Sequence, residues 1–204
     1  MIDVGAHAGQ FSKLFARMAP AGHVYAFEPS AYARSVMAPA VAFNGLRNLT
    51  LVPLGLGERA ASLVLHTPLK RSHSLGFGIA HLGAGVGPSV DQTIDVTTLD
   101  AFAQGRALGR LDFIKADIEG WELRALKGGE ATLRQFLPAL YLEVDEALMR
   151  RAGDTPEDLF GWLGAMSYRA FTTPGMQPIT AYDGAGDYLF VAEPDELSIL
   201  AELR

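Results

Sequence analysis

The chain has 204 residues, a formal net charge of −6 and no cysteine. That length suits one core of the α/β kind, and the missing thiols exclude disulfides and thiolate metal sites. The acidic balance, with no Lys/Arg-rich tract, disfavours a nucleic-acid partner, because a negative surface opposes a phosphate backbone. No run of about 18 apolar residues marks a membrane span, and Met1-Ile2-Asp3 is not a secretory signal, so the expected compartment is the cytoplasm with no membrane contact.

The elements alternate as a doubly wound sheet requires. Ile2–Val4 reads as the end of a first strand, and the helix Gln10–Met18 carries Phe11, Leu14, Phe15 and Met18 on one face. Pro20-Ala21-Gly22 breaks that helix before a second strand, His23–Glu28. A second helix, Ala31–Asn44, ends at Gly45, and Leu49–Leu54 is a third strand. Ala61–His66 and Thr93–Thr97 read as an inserted strand pair. Between them Pro68–Gln92 is rich in Gly, Ser and His with no steady period, the mark of a functional or disordered loop. Thr98 and Asp100 are placed to cap a short helix, Ala101–Gly105. Leu111–Ala116 is strand four, Leu123–Arg134 a helix and Ala139–Val144 strand five. Thr155-Pro156 opens a last helix, and Tyr168–Thr172 with Asp187–Ala192 form an antiparallel hairpin. The result is one domain over residues 1–204, opening within strand one, with 68–92 as an acceptor loop.

Chemistry concentrates at two strand ends. Asp3-Val4-Gly5-Ala6-His7-Ala8-Gly9 is a strand followed by a turn of small residues, where a ligand approaches the backbone as helix begins. Glu28 follows 19 residues after Gly9, where an acid accepts bonds from ribose hydroxyls. Ala6 and His7 stand where a dinucleotide site wants its second glycine, so an adenosine cofactor without phosphates suits the turn better. S-adenosylmethionine is such a molecule, with Asp3 holding the turn from below through its backbone amides. The second site is Lys115-Ala116-Asp117-Ile118-Glu119-Gly120. Asp117 and Glu119 either face the reacting end of the cofactor or cap the following helix, and Lys115 is a buried ion-pair partner of Asp117. His7, His73 and His81 are the histidines considered as proton acceptors. A magnesium site would have to use Asp117, Glu143, Asp145 and a histidine; no ligand spacing is diagnostic, so no metal is expected.

These motifs occur in a telling order. The glycine turn is followed by Ala26-Phe27-Glu28-Pro29-Ser30, Asn44-Gly45-Leu46, Thr97-Thr98-Leu99-Asp100, the Lys115–Glu122 block and Leu140-Tyr141-Leu142-Glu143-Val144. Together they resemble the FkbM family of S-adenosylmethionine-dependent methyltransferases, over nearly the whole chain. His7 departs from the family's usual Asn. The resemblance implies a Rossmann-like class I methyltransferase fold: a mostly parallel seven-stranded sheet with an antiparallel C-terminal hairpin and a small inserted β-hairpin. With that fold, the candidate cofactor contacts are Asp3, Gly5, Ala6, His7, Gly9, Glu28, Ser30 and Asp117, and the candidate catalytic residues Asp117, Glu119 and His73. The expected reaction is O-methylation of a hydroxyl on a sugar, glycan or polyketide-type small molecule, with homo-oligomerisation left open. Two rival readings remain, an NAD(P)-dependent oxidoreductase and a non-catalytic cofactor-binding domain.

Overall fold

The computed structural model describes residues 1–68, 81–82 and 89–192. Its main sheet is built from β1 (Ile2–Val4), β2 (Val24–Phe27), β3 (Leu49–Val52), β8 (Phe113–Ala116), β9 (Ala139–Glu143), β10 (Tyr168–Thr172), β11 (Pro178–Ile179) and β12 (Asp187–Ala192). The order is β11-β10-β12-β9-β8-β1-β2-β3, parallel from β9 to β3 and antiparallel where β12 meets β9 and β10. Seven of these strands match the expectation, and the two-residue β11 adds an eighth at the edge. Strand order reverses between β1 and β8, where ligands of open α/β sheets bind.

Side chains alternate across the strands, giving the sheet two different faces. Ile2, Val4 and Phe27 join Ile114, Leu140 and Leu142 in the larger core, beneath α3 (Leu99–Gly105), α4 (Glu122–Lys127), α5 (Glu130–Phe136) and α7 (Pro156–Ala165). Val24, Ala26 and Leu49 face the other way, with Ala16 of α1 (Gln10–Met18) and Met37 of α2 (Ala31–Phe43). Helix α6 (Glu146–Ala152) follows β9.

Helix α1 differs from its sequence reading. Ser12 and Ala16 are its buried residues, whereas Phe11, Leu14 and Met18 are 42%, 48% and 70% exposed. The helix leaves a tight turn directly above the sheet, so small side chains must face inward. Ser12 donates its hydroxyl to the wholly buried Asp3. The helix expected over Leu123–Arg134 is two helices broken at Gly128-Gly129. A Cβ on Gly128 would lie 2.0 Å from the Gly57 carbonyl oxygen, and one on Gly129 would press on Leu99, so backbone packing sets the break. Thr98 caps α3 as expected, accepting from the Ala101 amide at 3.1 Å. Asp100 instead caps α5, taking the Ala131 and Thr132 amides and the Thr132 hydroxyl. Thr155 caps α7 in a reciprocal capping box with Asp158.

The insertion is a four-stranded sheet, β4-β7-β5-β6, from β4 (Gly55–Leu56), β5 (Ala61–Pro68), β6 (His81–Leu82) and β7 (Ser89–Thr97). Pairing of β5 with β7 extends to Pro68 and Ser89. The segment read as a loop over Pro68–Gln92 is therefore strand at both ends, because the cross-strand ladder outlasts the apolar pattern. Gln92 ties this sheet to the main one: its side chain accepts from the Ala31 amide and donates to the Pro29 carbonyl, each at 3.1 Å.

Candidate functional site

A cleft opens at the reversal point, walled by the carboxyl ends of β1, β2 and β8 and roofed by the inserted sheet. The turn after β1 forms its floor. The amides of Gly5 and Ala6 both donate to the Phe27 carbonyl at 3.0 Å, and the His7 amide donates to Glu28 Oε2 at 2.7 Å. Gly5 has φ 76° and sits so close to β8 that a Cβ would stand 2.0 Å from the Asp117 carbonyl oxygen. Only glycine meets both demands. Gly9, also left-handed at φ 75°, is the N-cap of α1 and lies against Met37.

Glu28 is 6% exposed, with one carboxylate oxygen held by His7 and the other taking the Ser30 amide at 2.8 Å. Burial pushes its pKa up, opposed by those two amides. Ser30 lines the cleft and caps α2 through the Ala33 amide. Asp3 does not reach the cleft. It binds the Ser12 hydroxyl and lies 3.8 Å from Lys115 Nζ, so it holds the first turn of α1 rather than the amides of the glycine turn. Burial pushes its pKa up against the pull of Lys115.

The turn after β8 supplies the acids. Lys115 is buried and places Nζ 3.0 Å from Asp117 Oδ2 and 5.0 Å from the centre of the Phe11 ring. Asp117 and Glu119 line the cleft; neither caps α4. Glu122, the first residue of α4, instead reaches back onto that turn, its Oε1 accepting from the Ile118 amide at 2.8 Å and the Gly120 amide at 3.4 Å. Glu122 is wholly buried, and α4 starts at its N-cap Trp121 with no side-chain cap, so the cap reading of Asp117 and Glu119 fails. Burial and the charge of Asp117 push Glu119 up to about 7, and burial raises Glu122 to about 7. His7 and Glu119 are both non-glycine residues in the left-handed region, at φ 49° and 57°. Such backbone costs about 1–3 kcal/mol each and concentrates at functional sites.

Several lining residues carry no motif. Leu54 and Leu56 follow β3, while Leu65 and Ile94 come from the inserted sheet, and together they form the apolar part of the cleft wall. The period-two pattern of the strands was their only signal. Trp121 also lines the cleft. The expected catalytic His73 and most of the acceptor loop lie outside the described residues. His81 stands in β6, its backbone paired with His66. Among the described residues no group of three or more His, Cys, Asp or Glu is arranged to hold a metal ion.

These residues fit an adenosine cofactor bearing an amino-acid tail. The turn excludes side chains, Glu28 presents a carboxylate held in place by two amides, and Leu54, Leu56, Leu65 and Ile94 offer an apolar slot for a flat base. Asp117 is the carboxylate available to an ammonium group at the other end.

Known proteins agree with that fit. The methyltransferase FkbM domain matches residues 3–170. No curated protein matches in sequence. Among solved structures, a FkbM methyltransferase from Methylobacillus flagellatus KT is 20% identical with a TM-score of 0.60. That alignment covers 94% of this chain and 42% of the other, so this chain spans less than half of its length. A fibrillarin/Nop5p complex is 14% identical with a TM-score of 0.51, covering 94% of this chain and 70% of that one. At such identities the likeness is one of fold, the Rossmann-like fold of class I methyltransferases. The domain match, lying over the glycine turn, Glu28 and the Lys115–Glu122 block, carries the assignment further: the chain belongs to the FkbM family of methyltransferases, whose cofactor is S-adenosylmethionine.

Proposed function

We propose that this chain methylates a hydroxyl oxygen of a sugar, glycan or polyketide-type small molecule, acting in the cytoplasm. The observation that carries this reading is the group of carboxyls at the Asp117 end of the cleft. A hydroxyl acceptor has a proton to lose, and carboxyls raised towards neutral pH, as burial and Asp117 raise Glu119 to about 7, mark a site where one can be taken.

When bound, the cofactor supplies a sulfonium methyl already activated for displacement. The chain's own residues then bind, align and exclude water. Glu28 accepts from the ribose hydroxyls, with its carboxylate fixed by the His7 and Ser30 amides. Asp117, tethered by Lys115, holds the amino-acid end. Leu65 and Ile94 close the cleft from above, keeping water from the base. Alignment of this kind accounts for about 7–11 kcal/mol of a transfer barrier, and a positioned base adds roughly 10²–10⁴-fold. A net charge of −6 favours a neutral or hydroxyl-rich acceptor over a polyanion.

Calorimetry with S-adenosylmethionine and then NAD, followed by product detection on a panel of glycosides and polyketide alcohols, tests the reading. Binding of the first cofactor alone and methyl-ether formation are expected. Cofactor binding with methylation only of amines, or of nothing in the panel, would count against the hydroxyl acceptor.

A further inference from the structure

Glu143 ends β9, immediately beside the end of β8. The parallel register runs Lys115 beside Tyr141 and Ala116 beside Leu142, so the next step sets Asp117 beside Glu143. Both acids follow, by two residues, a neighbour on the same face, and that face also bears Asp3 and Lys115. Asp117 lines the cofactor cleft, whereas Glu143 lines an adjoining hollow with Asp145, Glu146, Arg150 and Tyr182. Asp117 is also the group that, after burial, does most to raise the pKa of Glu143, so the pair stands where cleft and hollow meet.

We propose that Glu143, sharing a proton with Asp117, is the proton acceptor for the hydroxyl being methylated, and that the hollow it lines receives the acceptor. This rests on the hydroxyl-methylation reading above.

Two like carboxyls in contact do not both ionise cheaply. Lys115, at 3.0 Å, compensates the charge of Asp117, and among the described residues no cation is ion-paired with Glu143, so the shared proton belongs to Glu143. The carboxyls that raise Glu143 are Asp117 first, then Glu119 from the β8 turn and Glu122 from α4; Asp187 lies opposite on β12, Asp145 at the N-cap of α6, and Arg150 of α6 is the cation lining the same hollow. Glu122 adds an independent sign of an unfinished polar site, because its Oε2 is fully buried with no partner among the described residues while its charge bears on Glu143. Burial and Asp117 together hold Glu143 at about 8. Once ionised, it is a far stronger base than an ordinary surface carboxylate. In the step itself the acceptor's O–H bond gives its proton to Glu143. The acceptor oxygen bonds the methyl carbon, and the carbon–sulfur electron pair stays with the cofactor's sulfur. The positive charge of the sulfonium thus ends as the proton on the carboxyl. Tyr182 supplies an apolar face at the hollow and Asp145 a further acceptor, which suits a ring bearing several hydroxyls.

Side-chain carboxyl NMR of the cofactor-free protein, titrated from about pH 4 to about pH 10, reads the pair without turnover. Glu143 should titrate near 8 and move to lower pH in Asp117→Asn; titration in the ordinary carboxylate range would overturn the proposal. With S-adenosylmethionine and methyl glycosides of common hexoses as probes, Glu143→Gln should bind the cofactor within about twofold of wild type. It should lose transfer by about 100-fold or more. Transfer within about threefold of wild type would overturn the role of Glu143 while leaving the methyltransferase reading intact. A wild type that binds cofactor but methylates no glycoside would count against the acceptor class instead, and the carboxyl titration then decides the pair.

Discussion

Glu28→Gln separates the two tasks that one carboxylate performs in this cleft. Glutamine matches the shape, but only one of its terminal atoms accepts a hydrogen bond. In the structure both oxygens are in use, Oε2 by the His7 amide at 2.7 Å and Oε1 by the Ser30 amide at 2.8 Å. The variant therefore turns an NH2 group towards either the buried Ser30 amide or the half-buried His7 amide, which costs about 1–3 kcal/mol of stability. Loss of the charged acceptor for the ribose costs about 1.5–3 kcal/mol of binding, a rise in Kd of roughly 10- to 150-fold. Thermal unfolding measures the first effect and calorimetry with S-adenosylmethionine the second. A cofactor analogue lacking the ribose hydroxyls provides the control: wild type should discriminate against it and the variant should not. Equal affinity of variant and wild type for S-adenosylmethionine would refute the ribose assignment, whatever happened to stability.

Three further substitutions probe the surrounding frame. Gly5→Ala forces a Cβ to within 2.0 Å of the Asp117 carbonyl at a φ of 76°, and should cost more than about 2 kcal/mol in urea unfolding; wild-type stability would contradict the close approach of β1 and β8. Lys115→Met removes the cation beside buried Asp3 and should destabilise by about 3–5 kcal/mol, less at acid pH where Asp3 takes up a proton; a pH-independent loss would argue against the ion pair. Glu122 has its pKa raised to about 7, so the folded state holds its proton more tightly than the unfolded chain. The stability from that proton is full below about pH 4.5 and is lost as pH rises through about 7, a span of about 3 kcal/mol. Glu122→Gln should flatten the fall in unfolding free energy between about pH 5 and about pH 8, and an unchanged slope would contradict it.

What could be read from the sequence was whatever short-range chemistry dictates. The Gly5–Gly9 turn, Glu28 at a strand end and the Lys115–Asp117 pair each follow from residue type and local spacing, and the structure gathers them into one cleft. The ordered motifs gave the sheet, because strand and helix patterns alternate cleanly along the chain. What escaped was set by tertiary packing. Phe11, Leu14 and Met18 have the periodicity of a buried face, yet the close approach of α1 to the sheet reserves that face for Ser12 and Ala16. Gly128 breaks a helix because of Gly57, a residue distant in the chain. Asp100 caps α5 rather than its own helix for a similar reason: the Thr132 hydroxyl and amide lie within its reach across space. Glu143 looked like the end of a strand. The sequence groups it with Asp117 only as a candidate magnesium ligand, and the register of β8 with β9, carried one step past Ala116 and Leu142, is what sets the two acids side by side.

The central claim is that this cleft transfers a methyl group to oxygen. The direct measurement supplies S-adenosylmethionine carrying an isotope-labelled methyl, with a panel of glycosides and polyketide alcohols, and locates the label by carbon NMR. The account predicts the label in a methyl ether on a former hydroxyl, formed by wild type and lost in Glu28→Gln at low cofactor concentration. Label found on nitrogen or carbon, or no transfer from a protein shown by calorimetry to hold the cofactor, would contradict it.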